Sequence, residues 1–339
     1  DHHSWSTTAN FSLAIHDLFV AHLSLVKPDG TFPKLNDDIL GTNLASIIDL
    51  LEFTNRHWPG EVPSTILRQA RNMSDGLTLR SSLWFSPINE ASSELTSLNY
   101  ESFGISVLRH NDMYVLLDYG PHGGWHGHFD KLGVEVSAGE SNLISDPGTV
   151  PYSLPSSRDW YRTSFAHSLP FVGYENQPEA TGCLLNHNFA NHSSFIMAQY
   201  FDENHGMQVS RLLLVITTHQ YGDVLVDMSH WSGEKSQIAT QTYHFSNASH
   251  SFVGNKSGSD SSPFNLDPHA QLDLLDDRET VNFTAGDDWH AYLHVSEENK
   301  LYGGTSINGG AFFIQANEAP SPTSTMLAVY THGDSEQAF

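Results

Sequence analysis

From about Leu98 to its end the chain is a succession of short β-prone runs broken by turn residues. They include Ile105-Ser-Val-Leu, Met113-Tyr-Val-Leu-Leu, Leu132-Gly-Val-Glu-Val, Asn142-Leu-Ile, Phe195-Ile-Met, Leu212-Leu-Leu-Val-Ile, Val224-Leu-Val, Trp289-His-Ala-Tyr-Leu-His-Val and Ala311-Phe-Phe-Ile, with Gly, Asn and Asp between them. Strands this short, joined by tight turns, leave no room for crossover helices. The pattern therefore predicts an antiparallel sandwich.

The first third reads differently. Phe11, Ile15, Leu18, His22 and Leu25 fall on one face of a 3.6-residue period, ended by the turn chemistry of Lys27-Pro-Asp-Gly. Leu44, Ile47, Ile48 and Leu51 form a second stripe, with Thr42 or Asn43 as cap and Pro59-Gly60 beyond its end. A third helix is expected over 64–73, with Ile66, Leu67 and Ala70 inward, followed by a Ser-rich connection over 74–97 without a period. The fold class is α+β: a helical segment over 1–97, then a large antiparallel β part over 98–339.

Charge narrows the function classes. The 339 residues carry 15 Lys+Arg against 39 Asp+Glu, a net charge of −24 with His neutral. A nucleic-acid binder needs a basic face, and an anionic membrane would repel this chain. A polyanionic substrate stays open, because a local cationic cleft can sit on an acidic molecule. No apolar run of the length needed to span a bilayer occurs. The single cysteine, Cys183, has no internal disulfide partner and reads as a small buried strand residue. Six N-x-S/T sequons, at Asn10, Asn72, Asn191, Asn247, Asn255 and Asn282, tilt the reading toward a secreted, glycosylated chain.

The stretch that carries chemistry is Gly120-Pro-His-Gly-Gly-Trp-His-Gly-His-Phe-Asp-Lys-Leu. His126 and His128 are two apart, a spacing that on a strand puts both imidazoles on one face, and Asp130 would share it. Asp146 follows at a strand end, in Ile144-Ser-Asp-Pro-Gly, and His167 follows in Tyr161-Arg-Thr-Ser-Phe-Ala-His. Two imidazoles and a carboxylate from separate elements suit a zinc site. In a chain with 21 His the pair is equally compatible with a structural or surface role.

These residues resemble the heparinase II/III-like polysaccharide lyases, a group that includes heparin, heparan sulfate and oligoalginate lyases. The resemblance runs from Leu108 to Val172. It rests on the ordered trio His126-Gly-His-Phe-Asp-Lys-Leu, Asp146-Pro-Gly-Thr and Trp160-Tyr-Arg-Thr-Ser-Phe-Ala-His; the upstream Pro28-Asp-Gly-Thr-Phe-Pro-Lys-Leu-Asn-Asp-Asp is similar to the family's linker. Ser168 departs from the Asn usual in the family, beside a ligand position.

The resemblance implies an incomplete (α/α) toroid followed by an antiparallel sandwich, and β-elimination at a 4-linked uronate. It implies that His126 is the catalytic histidine, that His128, Asp146 and His167 hold a structural Zn²⁺, and that Tyr161 is an acid or substrate contact. Arg162 or Arg158 would then hold a carboxylate in a bidentate fork. Trp125 would stack on a sugar ring and His122 would lie in the same cleft, with packing and turn-shaping as their alternative roles. The family also places a catalytic Tyr on its toroid, yet residues 1–99 contain no tyrosine. An upstream toroid segment of the same enzyme is therefore an expected partner.

The leading expectation is a secreted (in a bacterium, periplasmic) lyase acting on an acidic uronate polysaccharide. A cupin-like metal oxygenase also uses H-x-H, a carboxylate and a later His, but Asp146 lies 18 positions past His128, farther than a cupin places its acid. A non-catalytic carbohydrate-binding sandwich has no need of the His126 block.

Overall fold

The computed structural model describes residues 14–332 apart from 40, 77, 91–93, 220–221, 247–255, 262–265, 267–269, 276–279, 286–288, 297 and 307–310. The chain divides into two compact units. One comprises Asp1–Pro33 and Leu40–Thr96, the other Lys34–Ile39 and Ser97–Phe339. Lys34–Ile39, inside the segment read as helical, thus packs as a strap on the β unit.

In the helical unit, α1 covers 14–23, α2 Ile48–His57, α3 Ser64–Met73 and α4 Leu79–Trp84. Its core joins Phe19, Leu23, Val26, Phe32, Leu44, Ile48, Leu51, Val62, Ile66, Leu67 and Ala70. Of the expected stripes Leu44, Ile48, Leu51, Ile66, Leu67 and Ala70 are buried, while Ile47 is half-buried in the 3₁₀ turn Ala45–Ile47 ahead of α2. On α1 the period holds but the phase differs: Phe19 and Leu23 face inward while Ile15 and Leu18 are exposed, and Phe11 lies outside the described residues. A stripe of mixed apolar residues admits neighbouring phases, and packing chose the one carrying Phe19. The connection over 74–97 holds α4, started by Thr78, whose Oγ1 accepts from the Ser81 N–H at 3.0 Å. A six-residue helix has too few turns to show a period.

Among the described residues the β unit forms three antiparallel sheets. Strands β1 (Leu98–Tyr100), β2 (Ile105–His110), β3 (Met113–Asp118), β4 (Gly133–Ala138) and β5 (Ser141–Ile144) pair in chain order. After β6 (Pro170–Val172) come β7 (Cys183–Phe189), β8 (Ser193–Asp202), β9 (Met207–Thr218), β10 (Gly222–Gln237) and β11 (Ala239–Phe245). The rest are β12 (Lys256–Ser261), β13 (Ala270–Leu275), β14 (Thr280–Ala285), β15 (Trp289–His294), β16 (Asn299–Ser306), β17 (Ala311–Asn317) and β18 (Ser321–His332). The second sheet runs β14-β15-β18-β10-β9-β8-β7, the third β12-β13-β16-β17-β11-β6.

Period-2 alternation decides the layering. On β8 the residues Ile196, Ala198 and Tyr200 are buried while their neighbours are partly exposed. They join Val115, Leu117 and Val136 of the first sheet and Tyr243, Phe245 and Phe313 of the third in one core. β11 and β17 are buried along their whole length, since Phe312 and Ile314 point to a second cluster with Trp160, Phe165 and Phe171. That second cluster seats the loop carrying His167. β7, at the sheet edge, is mostly exposed, and Cys183 with it, contrary to the expected burial. Asn72 and Asn191 are exposed; Asn10, Asn247 and Asn255 lie outside the described residues, and Asn282 falls in β14.

Candidate active site and metal centre

The segment joining β3 to β4 is a glycine-rich loop, not the strand that the His126/His128 spacing suggested. Gly123 and Gly124 sit at φ 82° and 67°, and Gly124–His126 makes one 3₁₀ turn. A Cβ on Gly127 would lie 1.5 Å from the His122 carbonyl oxygen, so glycine is obligatory between the two histidines. The consequence is a split in environment. The His126 side chain is 74% exposed and that of His128 fully buried. They converge nonetheless on one carboxylate. Asp37, on the strap, accepts from His126 Nδ1 at 2.8 Å through Oδ2 and from His128 Nε2 at 3.2 Å through Oδ1.

Three basic groups hold the loop. His122 donates from Nδ1 to the His128 carbonyl at 3.0 Å and is buried, a turn-shaping role. Arg162 donates Nε and Nη2 to the Gly127 carbonyl at 3.1 and 2.8 Å. Arg211, fully buried on β9, donates from Nη1 to the carbonyls of Leu132 and Ser168 at 2.6 and 2.7 Å, tying this loop to the one that carries His167.

Beneath the loop lies a buried polar cluster. The candidate ligand atoms of His128, Asp130 and His167 lie within 4.8 Å of one another. Asp146, just past β5, contacts His167 Nδ1 through Oδ2 at 2.8 Å, and its Oδ1 accepts from the Gly148 N–H. His167 Nε2 faces the Tyr161 carbonyl at 3.1 Å. A carbonyl can only accept, so in a neutral ring the proton sits on Nε2 and the Nδ1 lone pair faces the carboxylate; a shared cation relieves that opposition. His128 Nδ1 is buried with no hydrogen-bond partner. An orphaned imidazole nitrogen beside a His–carboxylate pair is the donor set that zinc takes. The trio whose ligand atoms converge is His128, Asp130 and His167, a donor set that suits a metal, whereas Asp146, expected as the third ligand, enters through its contact with His167.

The two rings titrate in opposite directions. Burial, with His167 nearby, pushes the His128 pKa down. Burial opposes charge on His167 as well, but Asp146 outweighs it and the net shift is up. Lys131 Nζ bridges Asp130 at 2.8 Å and Asp118 at 3.2 Å. Burial raises Asp118 to about 6, whereas Lys131 outweighs burial at Asp130 and holds it low.

Trp125 is 91% exposed at the loop tip beside His126. Arg158 is exposed on the helical turn Ser157–Tyr161. The Tyr161 ring packs against the Trp160 and Phe165 cluster, and burial raises its pKa. The tyrosine hydroxyl brought to His126 is that of Tyr152, 3.0 Å from Nδ1 and donating to Asp37 Oδ2 at 2.6 Å. Asp37, Tyr152, Lys131 and Arg211 escaped the sequence reading. Asp37 stands inside a stretch already singled out, Pro28-Asp-Gly-Thr-Phe-Pro-Lys-Leu-Asn-Asp-Asp, and Tyr152 lies three residues past Asp146-Pro-Gly-Thr, so the signal was present without a pattern to rank them.

Residues 95–182 match the family model described as Heparinase II/III-like, C-terminal. That segment contains the whole β3–β4 loop, Asp146 and His167. No curated protein matches the chain. Among solved structures, the heparan sulfate lyase HepC from Pedobacter heparinus superimposes with a TM-score of 0.72 at 14% identity, over 97% of this chain and 48% of that one. The Heparinase III-BT4657 gene product gives 0.69 at 13%, over 96% and 47%. A further Heparinase III structure gives 0.64 at 11%, over 94% and 48%. At these identities the likeness is one of fold, and this chain spans about half the length of the structures it matches.

Proposed function

We propose that this chain, which carries a heparinase II/III-like C-terminal segment, is the β-sandwich part of a polysaccharide lyase that cleaves an acidic, 4-linked uronate polymer by β-elimination. The observation that carries the reading is His126: an exposed imidazole whose Nδ1 is pinned by Asp37, on a loop anchored over a buried metal-type cluster. With Nδ1 carrying the proton, Nε2 keeps its lone pair and faces solvent, the arrangement a general base needs.

In the reaction, Nε2 takes the uronate C5 proton. The released electron pair forms the C4–C5 double bond, the C4–O4 bond breaks, and O4 departs with a proton from a tyrosine. Tyr152 is the donor supported by proximity to His126, and Tyr161 the one supported by motif. Arg158, exposed on its helical turn, is our candidate to meet the carboxylate whose neutralisation acidifies C5. Arg162 acts mainly by holding the Gly127 carbonyl, and Trp125 offers a flat face for a sugar ring. Zinc held by His128, Asp146 and His167 would fix the loop. An upstream toroid segment, supplying the tyrosine missing from residues 1–99, completes the proposed enzyme, and secretion suits a polysaccharide substrate.

The test is an ultraviolet assay for the unsaturated uronate with heparan sulfate, alginate and glucuronan. The expected outcome is product from at least one polymer without oxygen, lost by about 10²–10⁴-fold in His126→Ala with zinc retained. Whichever of Tyr152→Phe and Tyr161→Phe loses more turnover identifies the acid. Product that requires oxygen and iron, or near-normal turnover in His126→Ala, refutes the assignment.

A further inference from the structure

Asp37, 89 positions upstream of His126, is hydrogen-bonded to both members of the histidine pair. Its placement is built in by the backbone around it. The Lys34 N–H donates to Glu135 Oε1 on β4 at 3.1 Å, the Asp38 carbonyl accepts from the Thr149 N–H at 3.1 Å, and Asn36 Oδ1 accepts from the His128 N–H at 3.3 Å. A Cβ on Gly148 would lie 2.2 Å from the Asp38 carbonyl oxygen, so the strap and the Asp146 turn are in close contact. The strap is therefore fastened to β4, to the β3–β4 loop and to the Asp146 turn, and the Asp37 carboxylate is held between two rings rather than free to choose one.

A carboxylate accepts and does not donate, while a neutral imidazole has one N–H and one lone pair. Acceptance from His126 Nδ1 leaves that ring's lone pair on the exposed Nε2. Acceptance from His128 Nε2 leaves the other ring's lone pair on the buried, partnerless Nδ1. The two rings are thus driven to opposite tautomers by one group. Tyr152, donating to the same Oδ2 at 2.6 Å, keeps that oxygen aimed at His126.

We propose that Asp37 is a positioning residue that sets both tautomers at once, His126 with its lone pair toward the cleft and His128 with its lone pair toward the metal cluster, and so couples the base to the metal site. The role given to His126 rests on the lyase reading; the tautomer assignment does not.

Histidine-selective ¹⁵N NMR of the full chain, read with zinc titration and kinetics, tests it in wild type and Asp37→Asn. The wild type is expected to carry its proton on Nδ1 of His126 and on Nε2 of His128. Asparagine has one acceptor oxygen and one donor nitrogen, so it cannot accept from both rings. In Asp37→Asn one ring should change tautomer, zinc affinity should fall roughly 10–100-fold, and kcat should fall by about 10²-fold or more with KM within about threefold. A wild-type spectrum with the His128 proton on Nδ1, or the His126 proton on Nε2, overturns the proposal even if the variant fails to fold. So does a variant that keeps both tautomers and its zinc affinity. A wild type showing the two tautomers yet forming no unsaturated product removes the lyase reading and leaves the role of Asp37 standing. Full turnover with normal zinc binding in Asp37→Asn removes Asp37 and leaves the lyase reading.

Discussion

Two buried polar clusters sit in the same β unit, and they are finished to different degrees. Arg211 on β9 meets Asp227 on β10 in a two-pronged pair, Nε to Oδ1 at 2.8 Å and Nη2 to Oδ2 at 2.6 Å, and its remaining Nη1 donates to two carbonyls. The cluster of His128, Asp146 and His167 keeps a partnerless Nδ1 and a ring nitrogen facing a carboxylate. Burial without satisfaction is costly. The closed cluster therefore reads as scaffold, whereas the open one is where the proposed cation would bind. The two are joined: the carbonyls held by Arg211 belong to Leu132, two residues past Asp130, and to Ser168, directly after His167.

Breaking the closed cluster should have the largest effect on stability. Arg211→Met leaves Asp227 buried without its counter-charge and frees both loops, at an expected cost of about 3–5 kcal/mol. Denaturant unfolding measures it, and zinc content should fall together with stability. A loss under about 1 kcal/mol, or normal zinc in a folded Arg211→Met, would show that the Arg211 carbonyl contacts do not support the site.

His244 on β11 sharpens the contrast through pH. It is buried, stacks on Phe312 with ring centroids 4.2 Å apart and gives its Nε2 to the Phe165 carbonyl at 2.7 Å. Burial lowers its pKa from 6.5 to about 3. Above pH ~6.5 the ring is neutral in folded and unfolded chains alike and stability does not depend on it. As pH falls from there toward 3 the unfolded chain takes up a proton that the folded one refuses, so stability is lost in that window, by up to roughly 4 kcal/mol. His244→Phe, which keeps the stack, should flatten the stability–pH slope there. An unchanged slope would show that His244 does not set it.

What the sequence made legible follows from where the information lies. The sandwich was readable because β8, β10 and β18 alternate inward and outward along their own lengths, a local signal. His126, His128, Asp146 and His167 could be picked out as candidates because they stand in compact motifs. Asp37 and Tyr152 were not ranked, because their importance comes from contacts 89 and 26 positions away. The strand expected for His126 and His128 failed for a related reason: spacing states which residues could share a face, but Gly123, Gly124 and Gly127 bend the backbone there. The phase of α1 was undetermined because Ile15, Leu18, Phe19 and Leu23 supply more apolar positions than one face requires.

The smallest of the three effects on stability discriminates best between the clusters. If the open cluster holds zinc, the metal binds the folded chain and stabilises it by mass action, about 2.7 kcal/mol at a free concentration 100-fold above Kd. A chelator should lower the unfolding midpoint of the wild type, and zinc should restore it. In His128→Ala the midpoint should be lower at the outset and indifferent to both additions, since the orphaned Nδ1 that motivates the site is gone. Arg211→Lys supplies the opposite control: it keeps the charge opposite Asp227 but loses the planar fork, so the loss should be smaller than in Arg211→Met, and some zinc response should survive. A wild type with no bound zinc and no response to chelator would mean that the open cluster is held by a proton on His167, which Asp146 already favours, rather than by a metal.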